Sequence, residues 1–288
     1  MSIDNKIRYT FSGHESFYCK SLWLKKGYDF ISENKDFNAP DAVVKLGVGK
    51  NMVASIRYWL RAFGLIEDGH ATEIADYIFN DENGKDPYIE DLGTLWLLHY
   101  LLVKTELASI YKLFFVDFHK EKNNEFSREK MLSFLKRKSF ETDYSNLYNE
   151  NTVKRDIGVL LQNYAIPEED KPNEDFSALL IDLNLIRQTD NKTYYFNVRG
   201  KNELTSEILL YAILDWKGND KTVDYEAMVD YFGGIFCLTS AELIDVLLVL
   251  TEKYHDSLVF ADDGGIKQLL FIKELDKQVI LNSYYNKI

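Results

Sequence analysis

Between Leu92 and Phe118 the apolar residues fall on nearly every face of a helix rather than along one stripe. A helix that is apolar all round has to be enclosed, so this segment is expected to be a buried strut around which the rest of the chain packs. Its greasiest part, Leu92 to Val103, is shorter than the roughly 20 residues a membrane span needs, and it contains His99. Flanked by Leu98, Tyr100 and Leu101, His99 reads as a core histidine whose ring nitrogens find protein partners. Enclosing such a helix takes material, and the chain has it. Its 288 residues are 46% hydrophobic and 14% aromatic, enough for two or three units sharing one body and incompatible with intrinsic disorder. No basic segment leading into an apolar run opens the sequence, which argues against secretion and membrane insertion. Cys19 and Cys237, the two cysteines, stand far apart and support neither a disulfide framework nor a cysteine zinc site, so a cytoplasmic location is expected.

On either side of the strut the pattern alternates helix and turn. Ile7–Phe11 alternates like a short strand, Ser12-Gly13 breaks it, and a helix is expected over Phe17–Ser32. Asp41 can cap a short helix ending at Leu46, Gly47-Val48-Gly49 makes a turn, and a longer helix runs over Lys50–Phe63. Helix, tight glycine turn, helix, then a turn at Glu67-Asp68-Gly69 reads as a winged-helix-like unit over residues 1–85. With the strut it makes an N-terminal DNA-binding domain, 1–120. A middle helix–hairpin block, 121–200, is expected from helices over Phe126–Lys138 and Thr152–Tyr164, then Leu179–Arg187 and the alternating Thr193–Val198. Block 201–288 repeats the order, with helices near Thr205–Trp216, Tyr225–Tyr231 and Ser240–Tyr254 and a hairpin of Leu258–Phe260 and Gln268–Ile272 about Asp262–Gly265. The acidic Ile166–Glu174 reads as an exposed loop. The expected fold class is therefore mainly α with short β-hairpins (α+β), as tandem winged-helix-like (helix-turn-helix) blocks around a buried central helix.

The net charge of −12 argues against coating nucleic acid by bulk attraction, but it is unevenly spread. Residues 1–66 hold ten Lys and Arg against six Asp and Glu, while the other 222 residues hold 24 against 40. From Ala42 to Ile66 there is no acid at all, and Lys45, Lys50, Arg57 and Arg61 fall in that window. With successive residues about 100° apart, Met52, Val53, Ile56, Trp59, Leu60 and Phe63 share one third of the helix. The opposite third carries Lys50, Asn51, Ala54, Arg57, Tyr58 and Arg61, with Ser55 at its edge. Arginine can fork to guanine or phosphate, asparagine can pair with adenine, and Lys, Ser and Tyr can hold phosphate oxygens, so this face is the candidate DNA contact. The alternative is an ordinary solvated face. Gly47-Val48-Gly49-Lys50 is not a phosphate loop, because Val44 and Asn51 occupy the positions where that motif needs Gly and Ser or Thr.

Phe11-Ser12-Gly13-His14-Glu15-Ser16-Phe17 places His14 and Glu15 at a strand-to-helix break, where a general base or metal ligand would be exposed. Asp86, Glu90 and Asp91 cluster before the strut helix and could hold a divalent ion, Mg or Mn; capping of that helix is the competing account.

The stretches FSGHESFYCKSLWLKKG (11–27), LGVGKNMVASIRYWLRAFGLI (46–66) and DPYIEDLGTLWLLHYLL (86–102) resemble the bacterial domain-of-unknown-function 4007 family. Lys20 departs from the arginine expected there, which keeps the charge but loses the bidentate fork. The resemblance implies kinship with SspB-type components of DNA phosphorothioation systems, which nick DNA in antiphage defence. It thereby implies a metal-dependent nickase, with His14, Glu15 and Asp91 as the residues a cut would call upon. Implied partners are double-stranded DNA and other proteins of such an operon, with no membrane; a homodimer stays open. A non-catalytic winged-helix module or transcriptional regulator is the alternative, and a protein-interaction scaffold, consistent with the acidic remainder, is a third.

Overall fold

The computed structural model describes residues 9–121, 124–141, 148–165, 178–189, 192–198 and 204–286. The N-terminal third runs α1 (Trp23–Ser32), α2 (Ala42–Leu46), α3 (Lys50–Ala62), a hairpin of β1 (Ile66–Glu67) and β2 (His70–Ala71), and α4 (Glu73–Phe79). Helix α1 begins six residues later than the periodicity predicts. Ser12, Gly13, Glu15 and Ser16 all take positive φ, so the backbone there cannot lead into a right-handed helix. Of the strand expected over Ile7–Phe11, Ile7 and Arg8 lie outside the described residues. Tyr9–Phe11 form no strand, and Thr10 instead exchanges hydrogen bonds with Ser109. Between α2 and α3 the turn falls where expected, with Gly47 left-handed at φ 63°, a conformation that a side chain would disfavour.

The strut is α5 (Leu92–Lys104), with every residue from Gly93 to Val103 buried. It is one helix only as far as Lys104: Glu106 turns left-handed, and α6 (Ser109–Lys112) then runs into a π-helical turn over Leu113–Phe118. Then follow β3 (Glu125–Phe126), α7 (Arg128–Glu141), α8 (Glu150–Tyr164), β4 (Ile186–Gln188) and β5 (Tyr194–Phe196), forming an antiparallel sheet of order β3-β5-β4 with Phe126 opposite Tyr194 and Ile186 opposite Phe196. The loop expected over Ile166–Glu174 lies outside the described residues. The last stretch has α9 (Ser206–Lys217), β6 (Thr222–Asp224), α10 (Tyr225–Met228) with a π-helical turn over Val229–Gly233, α11 (Ser240–Lys253), β7 (Leu258–Asp263), β8 (Ile266–Phe271) and α12 (Lys277–Tyr285). Its sheet order is β6-β8-β7. The hairpin strands run longer than the alternation predicts, because Asp262 and Asp263 pair with Lys267 and Ile266 and only Gly264-Gly265, both at positive φ, make the turn.

The protein is therefore mainly helical with small antiparallel sheets, and among the described residues the order helix, helix, hairpin occurs three times. Among the described residues no helix is long and apolar enough to cross a membrane. Helix α12, which hydrophobic patterning missed, packs on α9 and reaches back to the strut: Tyr284 donates to Asp91 at 2.6 Å, and Tyr285 bonds Thr94 at 2.8 Å.

Two polar clusters tie the strut to its wrapping. His99, fully buried, sits 2.7 Å from the Tyr164 hydroxyl through Nδ1 and 2.7 Å from the Ile235 carbonyl through Nε2. A carbonyl only accepts, so Nε2 carries the proton. Asp215 accepts from Tyr100 at 2.8 Å, from Lys277 at 2.5 Å and from Lys104. Burial pushes its carboxyl up, but the two lysines outweigh burial and hold it below the usual range. Two outcomes are expected in urea unfolding. His99→Leu should cost about 1–3 kcal/mol for each partner left unpaired. Asp215→Asn should be destabilising near neutral pH. A depressed carboxylate stabilises above its unfolded pKa of about 3.9 and loses that contribution as pH falls through the folded value, so the deficit should shrink below pH about 4.

Candidate nucleic-acid interface

Helix α3 divides as its periodicity predicts: Val53, Ile56, Trp59 and Leu60 are buried, while Lys50, Asn51, Ala54, Arg57 and Arg61 are exposed. The exposed face forms one wall of a groove of about 730 Å³ whose other wall is Phe37–Pro40 with Ala42 and Val43 at the start of α2. Lys50, Arg57 and Arg61 line it and no carboxylate does. Arg57 is aimed rather than free: its Nη1 donates to Asn38 Oδ1 at 2.8 Å, and Asn38 is held by its own amide and backbone N–H on Asp36 at 3.0 and 2.8 Å. The helix opens at Gly49 with no side-chain cap and no acid in its first turn, so its N–H groups and positive dipole end face the same side as Lys50.

Of the expected DNA contacts, Ser55 and Lys45 lie off the groove, and Tyr58 lines it half-buried. Ser55 is fully buried with its hydroxyl unpartnered, because the edge of the polar arc is covered by the fold. Lys45 stands outside the groove and pairs with Asp41 at 2.7 Å, the i,i+4 partner available on α2. Tyr58 is half-buried against the 12–16 loop, and burial, with Asp156 adding to it, raises its phenol pKa. A Cβ on Gly13 would lie 2.6 Å from the Tyr58 ring, so only glycine permits this approach, at a φ of +105° that also favours glycine.

His14 is buried, not exposed as expected. Its Nε2 lies 2.9 Å from Asp156 Oδ1, and its Nδ1 accepts from the Ser16 N–H at 3.0 Å. The ring stacks on Trp59 at 6.3 Å and meets Tyr58 edge-on at 5.9 Å. With Nδ1 accepting, Nε2 donates to Asp156, which also receives the Ser12 N–H at 2.9 Å. His14 is thus the pin that holds a left-handed loop against α3, and Glu15 beside it is exposed. Asp156 and Asn38 are the residues sequence reasoning missed. Asp156 lies 142 positions from its partner and Asn38 lies 19 positions from Arg57, beyond any periodic signal.

Two of the carboxylates before the strut, Asp86 and Asp91, accept from backbone N–H groups. Asp86 accepts the N–H groups of Glu90 at 2.8 Å and Asp91 at 3.0 Å, and Asp91 caps α5 by accepting from Thr94 at 3.2 Å. Among the described residues no group of three or more His, Cys, Asp or Glu is placed to hold a metal ion. No hydrogen bond or ion pair joins His14 or Glu15 to Asp91 among those residues, and the Asp86, Glu90 and Asp91 arrangement does not fit a metal centre.

A mainly helical scaffold with small antiparallel sheets thus presents one groove lined by Lys50, Arg57 and Arg61 and by no carboxylate. The chain belongs to the family described as "Protein of unknown function (DUF4007)", whose sequence profile matches residues 11–285, as the three motifs indicated. It is similar to a solved SspB crystal structure at 25% identity and a TM-score of 0.84, covering 97% of this chain and 88% of that one. It is also similar to a magnesium-ion-bound SspB crystal structure at 24% identity and a TM-score of 0.83, with the same coverage. Comparison with curated proteins finds no match.

The capping geometry carries a prediction. Asp91→Ala should lower unfolding free energy by about 1 kcal/mol through the lost cap, more if the Tyr284 hydroxyl stays unpaired, as read from a denaturant midpoint.

Proposed function

We propose that this protein is a cytoplasmic, duplex-DNA-binding component of a phosphorothioation-linked antiphage defence system, and that it holds DNA through the outer face of α3. The observation that carries this reading is the groove wall of Lys50, Arg57 and Arg61 with no carboxylate among its lining residues, in a chain whose net charge is −12. A chain this acidic repels phosphate everywhere except where cations are gathered, so a local acid-free wall defines where a duplex approaches. The recurring helix–helix–hairpin order supports a division into a winged-helix-like domain with the strut over 1–120, a helix–hairpin block over 121–200 and a winged-helix-like block over 201–288. Likeness to SspB supports the system and its other proteins as partners.

Nicking is the finer reading, favoured by the magnesium-bound SspB structure. The bonds that His14, Asp86 and Asp91 Oδ1 make to the fold support a holding role for these residues over a cutting one. A metal-assisted cut would draw on a donor set other than theirs. If magnesium converts supercoiled plasmid to open circle in the presence of this protein, the conversion should survive Asp91→Ala at a temperature where that variant is folded.

Binding is tested by fluorescence anisotropy with a duplex. Neutralising about three phosphates gives a slope of log K against log salt near −2.7, from roughly −0.9 per phosphate. Arg57→Ala with Arg61→Ala should bring the slope to about −0.9 while changing stability by under about 0.5 kcal/mol each, since both side chains are exposed. A slope near zero for the unaltered protein overturns the proposal.

A further inference from the structure

The last stretch repeats the helix–helix–hairpin order with the opposite surface chemistry. Helix α11 holds the place there that α3 holds in the first stretch, and it follows a left-handed turn residue, Cys237, as α3 follows Gly47. Its inner face is Leu243, Leu247 and Leu250, all buried. Its outer face carries Asp245, Leu248, Val249 and Glu252 and no cation, since Lys253 lies to one side and pairs with Glu207. Leu248 and Val249 are 51% and 53% exposed. Beside the helix, the β7–β8 hairpin ends in exposed Asp262 and Asp263, with Ile266 65% exposed. Residues 201–288 hold 15 Asp and Glu, eight Lys and no Arg.

Such a face cannot approach a phosphate backbone, because every unpaired charge on it has the phosphate's sign. Two adjacent aliphatic side chains left half in water among carboxylates instead form the apolar centre and charged rim of a protein contact. The same face of a second copy would set Asp245 and Glu252 against their own equivalents, so charge opposes symmetric self-pairing. We propose that the outer face of α11 docks a partner protein whose contact surface is an apolar patch ringed by lysine and arginine. The protein then divides its work: α3 takes nucleic acid, and α11 takes a basic protein that must not compete for the same surface.

The test uses the full chain in cells that naturally make it, with Leu248 replaced by p-benzoylphenylalanine and, as a control, the probe at exposed Gln162 on α8. Irradiation should join position 248, and not position 162, to one protein at a site where apolar residues are surrounded by Lys or Arg. With that protein purified, Leu248→Asp and the double change Asp245→Lys with Glu252→Lys should each weaken the pair at least tenfold. Raising salt should weaken the unaltered pair. Thermal melting should match the unaltered chain, since all three positions are exposed, and duplex binding through α3 should be unchanged. Crosslinks only to a second copy, to DNA or to nothing above the control, or a partner whose affinity ignores both variants, overturn the proposal.

Discussion

A helix buried on all sides can carry a polar side chain only if the surrounding chain supplies its partners, and His99 imposes that condition here. It stands in the middle of α5 between Tyr164, from the end of α8, and the Ile235 carbonyl, from the last stretch, at 2.7 Å each. Three segments far apart in sequence are thereby held to one point. An unpaired donor at such a site costs more than the bond contributes, so mispackings of the strut are penalised more strongly than the native one is rewarded. The Asp215 cluster acts similarly at the other end of the helix, where Lys104 from the strut and Lys277 from α12 meet one carboxylate.

The groove face inherits its order from the same long-range wiring. Trp59 on the inner side of α3 stacks on His14, and His14 is pinned by Asp156 on α8, so the 12–16 loop, the helix and the middle stretch brace one another. Ser12, Glu15 and Ser16, held at positive φ in that loop, cost conformational energy. Two N–H donors and a buried carboxylate offset it, which is why His14 and Asp156 hold the fold and only Glu15 stays exposed at the break the sequence suggested. Arg57 is oriented from the other wall, by Asn38. A cation with restricted rotamers loses less entropy when it meets an anion than a free one does.

One order of elements recurs with divergent surfaces. The turn-and-helix geometry is set by buried leucines and left-handed turn residues, which constrain the inner face only. The outer face is free to vary at little cost in stability, so α3 can gather cations while α11 gathers carboxylates and exposed aliphatics on similar backbones.

Periodicity alone determined the first half of the strut as far as Lys104, most of the two faces of α3, the glycine turn before it and the C-terminal hairpin, because these follow from local propensity and the spacing of apolar residues. It also pointed to capping as one account of Asp86 and Asp91 and to a satisfied core for His99. The motifs sufficed for the family. Tertiary structure decided what spacing cannot carry: that Ser55 is covered, that Lys45 is spent on Asp41, that His14 turns inward to a residue 142 positions away, and that α12 closes over the strut. The physical reason is that burial and hydrogen-bond partnership belong to the assembled chain. A side chain at the edge of a helical arc, or beside a bend, is exposed or enclosed according to which distant segment packs against it, and no local pattern records that segment.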